Sequence, residues 1–459
     1  MWTICRFVCK QWRDLLPLPP PSSAFLGREF AGRVAKEGNI NLLKWAKKNG
    51  CPLKISTFVG AVEGVCIEVL EWLREEGCGW DATVFAAAAT TGHLELVKWL
   101  REKGCPWGVE SCANAAKEGH LELLEWLREE GCPWDERTAI QLATQEGHLE
   151  VLKWAREQGI YPDIYMNSMA ARHGHFEILK WGVQQGCSLA NCLPAAASSG
   201  HLEMVEWLWD READCCGDSS CWSAAANGHL EVLKWLREKG CPWSTRTCIK
   251  AAEGGHLEVL KWAREQGCPW DQFAWDAAEG GHLEVLKWLR EQGCPYNEEA
   301  CERATKRGQL EVLKWLRENE YPWDGWTNGD ICNIAAGGGH LEVLKWAIEN
   351  GATVDAKTCS LAALWGHIEV VEWLREQGCP WDEEVCIAAA EYGELKLLRW
   401  LREQGCPWNE DVCIVAAQWH FNDIVKWAIE NGCPFDERGL WESADFTLRQ
   451  WLTDRREQC

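Results

Sequence analysis

The chain has 459 residues, 47% of them hydrophobic and 25% charged, a balance that excludes wholesale disorder. Seventy acidic residues against 47 basic ones leave a net charge of −23, a field that repels phosphate backbones and anionic lipid, so neither nucleic acid nor a membrane is expected as partner. No apolar run approaches the ~18 residues of a membrane span. The first sixteen residues, MWTICRFVCKQWRDLL, lack the features of a secretory signal, so a cytoplasmic, non-secreted protein is expected. Twenty-six cysteines in so long a chain then point to reduced, buried thiols and not to a disulfide scaffold.

In chain order, residues 1–15 stand apart from the rest. Phe7-Val8-Cys9-Lys10-Gln11-Trp12-Arg13-Asp14-Leu15 resembles the closing helix of an F-box. The family pattern falls on Val8, Cys9, Trp12 and Leu15; the two earlier helices of that module are not present. The resemblance implies contact with a Skp-type adaptor of a cullin-RING ubiquitin ligase, and the competing reading is a plain capping helix. Residues 16–27, containing Leu16-Pro17-Leu18-Pro19-Pro20-Pro21, read as a stiff linker.

From residue 28 to the C-terminus the sequence repeats itself. Of the 33 Trp, one recurs at 45, 72, 99, 126, 154, 181, 207, 235, 262, 288, 315, 346, 373, 400 and 427, with a weaker copy at 451. The spacing is 26 to 28 residues, save 31 before Trp346 and 24 before Trp451. About sixteen copies of one unit explain the tryptophan excess. Each unit predicts two short helices. In residues 245–270 the first runs over Thr247–Glu253 and closes at Gly254–Gly255. The second, Leu257–Gln266, sets Leu257, Val259, Leu260, Trp262 and Ala263 on one apolar face. Glu258, Lys261, Arg264 and Glu265 fall opposite, spaced for ion pairs. Gly267 ends that helix and Cys268-Pro269-Trp270 turns the chain. Neither helix buries its face alone, so the fold class expected is all-α, an α-solenoid of stacked helix-turn-helix repeats.

The motif Ala-Ala-x-x-Gly-His-Leu-Glu-Val-Leu resembles the heart of the ankyrin repeat, and the likeness extends over residues 28–459. It implies a protein-binding scaffold without catalysis. The ~27-residue period is shorter than the family's ~33, which predicts that the β-hairpin finger is reduced to the Cys-Pro-Trp turn. Arg264 stands at a usually apolar place, where a Trp one turn away is expected to take over its packing. Asp210–Ser220 and Asp324–Asp330 interrupt the pattern as tolerated insertions, with a hinge or a recognition loop as the other reading.

Ten histidines share one repeat position, from His93 to His367. Neighbouring copies, about 10 Å apart at helix-packing distance, cannot share a zinc ion; a turn-stabilising imidazole bonded to local backbone is expected. Two cysteine rows, one in the first helix and one in the turn, contain no C-x-x-C pair, and Cys215-Cys216 is the one candidate reactive pair. Phosphate-loop, dinucleotide, zinc-protease and serine-hydrolase motifs are missing, so no enzyme, metal or cofactor is expected. Binding is expected where the copies disagree. Two residues before the His position the copies vary most, and there Trp365, Tyr392 and Trp419 form three successive aromatics. They predict a partner-binding face; the alternative is that each ring covers its neighbour's core. A basic spot at Arg303, Lys306 and Arg307 adds a site for an acidic peptide. The chain is expected to act as a monomer. The runner-up is the substrate-recognition subunit of a cullin-RING ligase.

Overall fold

The computed structural model describes residues 28–161, 165–212, 217–321 and 328–458. Val8, Cys9, Trp12 and Leu15, the Pro-rich stretch, Cys215-Cys216 and residues 213–216 and 324–327 of the two insertions lie outside the described residues. The chain divides into two compact units, Met1–Ala213 and Asp214–Cys459. Among the described residues the first holds seven helix pairs, beginning with Arg28–Lys36 and Ile40–Lys48. The second holds nine, ending with Glu437–Ser443 and Phe446–Gln458. No strand occurs among the described residues, so the Cys-Pro-Trp turn does replace the β-hairpin.

The order within a pair follows from the sequence. Thr245–Glu253 and Leu257–Glu265 are the two helices of the unit taken above, and Gly255 (φ 74°) and Gly267 (φ 80°) adopt the left-handed conformation that ends each one. Inside each compact unit successive first helices pack against one another, and the first helices from Arg28–Lys36 to Asp411–Gln418 pack against their own second helices. Its paired alanines, such as Ala251 and Ala252, are fully buried, because only small side chains let successive helices approach so closely. Val259, Leu260 and Ala263 of the second helix complete the layer, each large side chain contributing ~1.5–3 kcal/mol of apolar burial. Lys261 pairs with Glu258 at 3.0 Å on the solvent side; such exposed pairs contribute little.

The tryptophans act as mortar between the turns. Arg264 lays its guanidinium over the Trp270 ring, 4.1 Å from the centroid, and donates to the Cys268 carbonyl. Trp270 also meets Trp288 in a T-shaped contact, with ring centroids 5.6 Å apart. The same Arg–Trp–Trp sandwich recurs at Arg74–Trp80–Trp99, Arg101–Trp107–Trp126, Arg128–Trp134–Trp154, Arg237–Trp243–Trp262, Arg375–Trp381–Trp400 and Arg402–Trp408–Trp427. A cation over an indole face, with an edge-to-face partner beyond it, is the preferred arrangement for both contacts. Arg264 is therefore part of the packing, in partnership with the Trp and not displaced by it.

One first helix departs from the pattern. Gln272–Ala278 winds as a 3-10 helix around Trp275, which is buried between Tyr296 (5.0 Å) and Tyr321 (5.1 Å). This copy is one residue shorter than the one before it, with 12 residues from Trp270 to His282 against 13 from Trp243 to His256, and its first helix is wound more tightly.

Candidate partner-binding face

The histidine row is spent on structure, though between repeats and not within a turn. His256 donates from Nε2 to the Ala226 carbonyl at 3.1 Å, at the end of the preceding first helix. His120, His175, His340 and His367 do the same to Thr90, Gln145, Lys306 and Gly337, at 2.7–3.1 Å. A carbonyl only accepts, so Nε2 carries the proton. The copy with Gln309 in this position makes the equivalent bond to Glu279, its amide donating at 3.3 Å. The glycine before each histidine has a second duty here. A Cβ on Gly228 would stand 2.6 Å from the ring of His256, so glycine supplies both the left-handed turn and the room for the next imidazole. The local bond expected from sequence is thus corrected to a rung joining neighbouring repeats.

Trp365, Tyr392 and Trp419 cap the C-termini of Ala356–Leu364, Glu383–Glu391 and Asp411–Gln418. A residue there leaves the helix as the chain turns, and its side chain is not required by the stack. The three are 53%, 46% and 58% exposed, among the largest exposed apolar side chains described. Trp365 and Tyr392 touch, with centroids 5.0 Å apart and planes at 52°. Trp365 also lies beside Gly337, where a Cβ would stand 3.8 Å from its ring. The rings thus cover part of their neighbours and still present about half their surface to water.

Arg303, Lys306 and Arg307 differ from the expectation of a free basic spot. Arg303 contacts Asp276, Glu279 and Glu299 at 3.2, 3.5 and 3.0 Å. Lys306 pairs with Glu302 at 2.6 Å and Arg307 with Glu279 at 2.9 Å. Four carboxylates thus answer three cations, and no surplus positive charge remains for an acidic peptide. Burial works against the Arg303 cation, but the Glu299 hydrogen bond and the Asp276 charge outweigh it and raise its pKa. Burial also raises the Asp276 carboxyl, with Arg303 opposing. The charges were visible in sequence; their cancellation required the helix stack to bring residues 276 and 279 beside 303.

Sequence reasoning passed over two strongly exposed aromatics, Tyr161 (74%) and Phe446 (85%). It also left unjoined the two cysteine rows, which the fold brings together. Cys359 of a first helix donates its S–H to the sulfur of Cys379, 3.1 Å away in the turn of the same repeat. Cys379 in turn donates to the Asp355 carbonyl at 3.2 Å. The constant 20-residue separation was the available signal.

Fold and site together define a helical repeat protein whose variable positions collect on the helix ends. Ankyrin-repeat family models match residues 112–156 and 332–375 (many copies) and 167–247 (three copies), and these segments are similar to ankyrin repeats. No curated protein matches the chain. Among solved structures it is similar to the pentatricopeptide repeat protein PPR10 in complex with an 18-nt psaJ RNA element. That match has 12% identity and a TM-score of 0.36, and covers 97% of this chain and 86% of the other. It is also similar to PPR10 from maize, at 12% identity and a TM-score of 0.31, over 97% and 80% of the two chains.

Proposed function

We propose that the repeats form a non-catalytic scaffold for a protein partner, with Trp365, Tyr392 and Trp419 as its central contact. The observation that carries this reading is the exposure of three large aromatics on successive repeats, at a position where other copies have Gly254, Gly280 or Gly338. Stacking does not require them, and clustered aromatics are what interface hot spots are built from. Arg303, Lys306 and Arg307 enter the reading as a polar border, their charge being answered by their own carboxylates. A net charge of −23 favours a protein over a nucleic acid as partner, and the protomer is taken to act singly.

Affinity capture from host lysate with the full chain tests this, beside a Trp365/Tyr392/Trp419→Ala triple variant. Once a partner is identified, the triple variant is expected to bind it at least ~30-fold more weakly, the equivalent of about 2 kcal/mol. Unchanged affinity would remove the aromatic face from the reading. A second reading rests on the F-box-like stretch at Val8, Cys9, Trp12 and Leu15: a substrate-recognition subunit of a cullin-RING ligase. It predicts that adaptor and cullin subunits are captured by the full chain and lost when the chain starts at Ser22.

A further inference from the structure

The cysteine pairs have no part in the proposed binding face. Cys359 and Cys379 are buried, their sulfurs 3.1 Å apart. Five other repeats carry cysteines at the same two positions: Cys112 and Cys132, Cys221 and Cys241, Cys248 and Cys268, Cys386 and Cys406, and Cys413 and Cys433. Every pair links a first helix to the turn that closes its own repeat, twenty residues on, and all twelve side chains are fully or almost fully buried. Other copies break the pair. The residue twenty before Cys105 is Phe85 and before Cys294 is Ala274; the residue twenty after Cys301 is Tyr321 and after Cys332 is Ala352. The chain thus contains paired and unpaired buried thiols in otherwise equivalent settings.

We propose that these six pairs are modification sites: a small two-electron oxidant of the peroxide class converts each into a disulfide within one repeat. The turn thiol, as thiolate, attacks one peroxide oxygen and hydroxide leaves, giving a sulfenic acid. The first-helix thiol then attacks that sulfur, the S–O bond breaks, and water departs. Two thiols and one hydrogen peroxide give one disulfide and two waters; sulfur is oxidised and the peroxide oxygens reduced. The turn thiol is the attacking one because it already has its partner's S–H directed at it, and a guanidinium of the Trp sandwich, such as Arg264 beside Cys268, stands near. The first-helix thiol is held protonated by the same hydrogen bond and by burial. Each closure tethers a first helix to its turn without crossing to another repeat, so the oxidised array keeps its fold.

The test is a peptide map of the full, folded chain after mild hydrogen peroxide, with remaining thiols alkylated under denaturing conditions before digestion. The expected result is six linked peptide pairs, 112–132, 221–241, 248–268, 359–379, 386–406 and 413–433, each with a loss of about 2 Da that dithiothreitol reverses. Cys105, Cys294, Cys301 and Cys332 are expected to be alkylated. In a Cys379→Ser variant Cys359 should be alkylated too while the other five pairs still close, which separates pairing from any general loss of structure. Oxidation in urea, where the geometry is lost, should scramble the linkages. Full alkylation of the twelve paired thiols in the folded chain, or linkages between repeats, would overturn the proposal.

Discussion

His256 shows what a single residue contributes to this fold. Its bond to Ala226 needs a donor at one point in space, which glutamine also supplies at position 309. His256→Gln is therefore expected to leave the denaturation midpoint nearly unchanged, whereas His256→Ala should cost about 1 kcal/mol and uncover the carbonyl. Protonation is a second handle. Burial lowers the His256 pKa, against a smaller opposing effect of the Ala226 hydrogen bond, and burial likewise lowers His173, with His175 adding to it. A depressed histidine favours the neutral ring in the folded state. Its contribution is complete above the free value of about 6.5 and is lost as pH falls through the lowered folded value. Stability measured by urea titration should fall across that window, and less steeply in His256→Gln. Val65 is a residue-scale liability: it holds φ at 53° where neighbouring copies have glycine. Val65→Gly should raise stability by about 0.5–1 kcal/mol, the relief of a left-handed β-branched residue less the entropy of glycine.

At the scale of the element, the turn is held by the Arg–Trp–Trp sandwich. Trp270 is half-buried, stacked by Arg264 and in T-shaped contact with Trp288. Trp270→Ala should cost ~2–3 kcal/mol, and Arg264→Lys about 1 kcal/mol, since an ammonium loses the planar stack and its fixed hydrogen bond to Cys268. A double-mutant cycle between the two positions, read by thermal melting, should give a clear coupling energy. Additive losses would mean that the ring and the guanidinium act independently.

At the scale of the whole molecule, net charge sets the conditions. With −23 distributed over the helix faces, self-repulsion opposes compaction. Raising the ionic strength from about 0.01 M to about 0.15 M shortens the screening length from about 30 to about 8 Å, and the melting temperature should rise. The exposed Lys–Glu pairs at i,i+3, such as Lys261 with Glu258, weaken in the same salt. A fall in melting temperature would mean that these pairs outweigh the repulsion.

Repeat period, helix pairs and glycine punctuation were all legible in the sequence, because each depends on residues within one ~27-residue unit: Gly255 and Gly267 end their helices by local backbone geometry alone. The exposed row of Trp365, Tyr392 and Trp419 was legible too, since a position that varies between stacked copies is one that stacking leaves free. What lay beyond one unit was decided by the tertiary structure. The His256 bond reaches thirty residues back, the Arg303 charge is cancelled from the neighbouring first helix, and the cysteine rows at 359 and 379 meet only when a repeat closes. Hydrogen bonds, ion pairs and thiol contacts act over a few ångströms, and periodicity does not say which side chains come within that reach. The stacking of helices does.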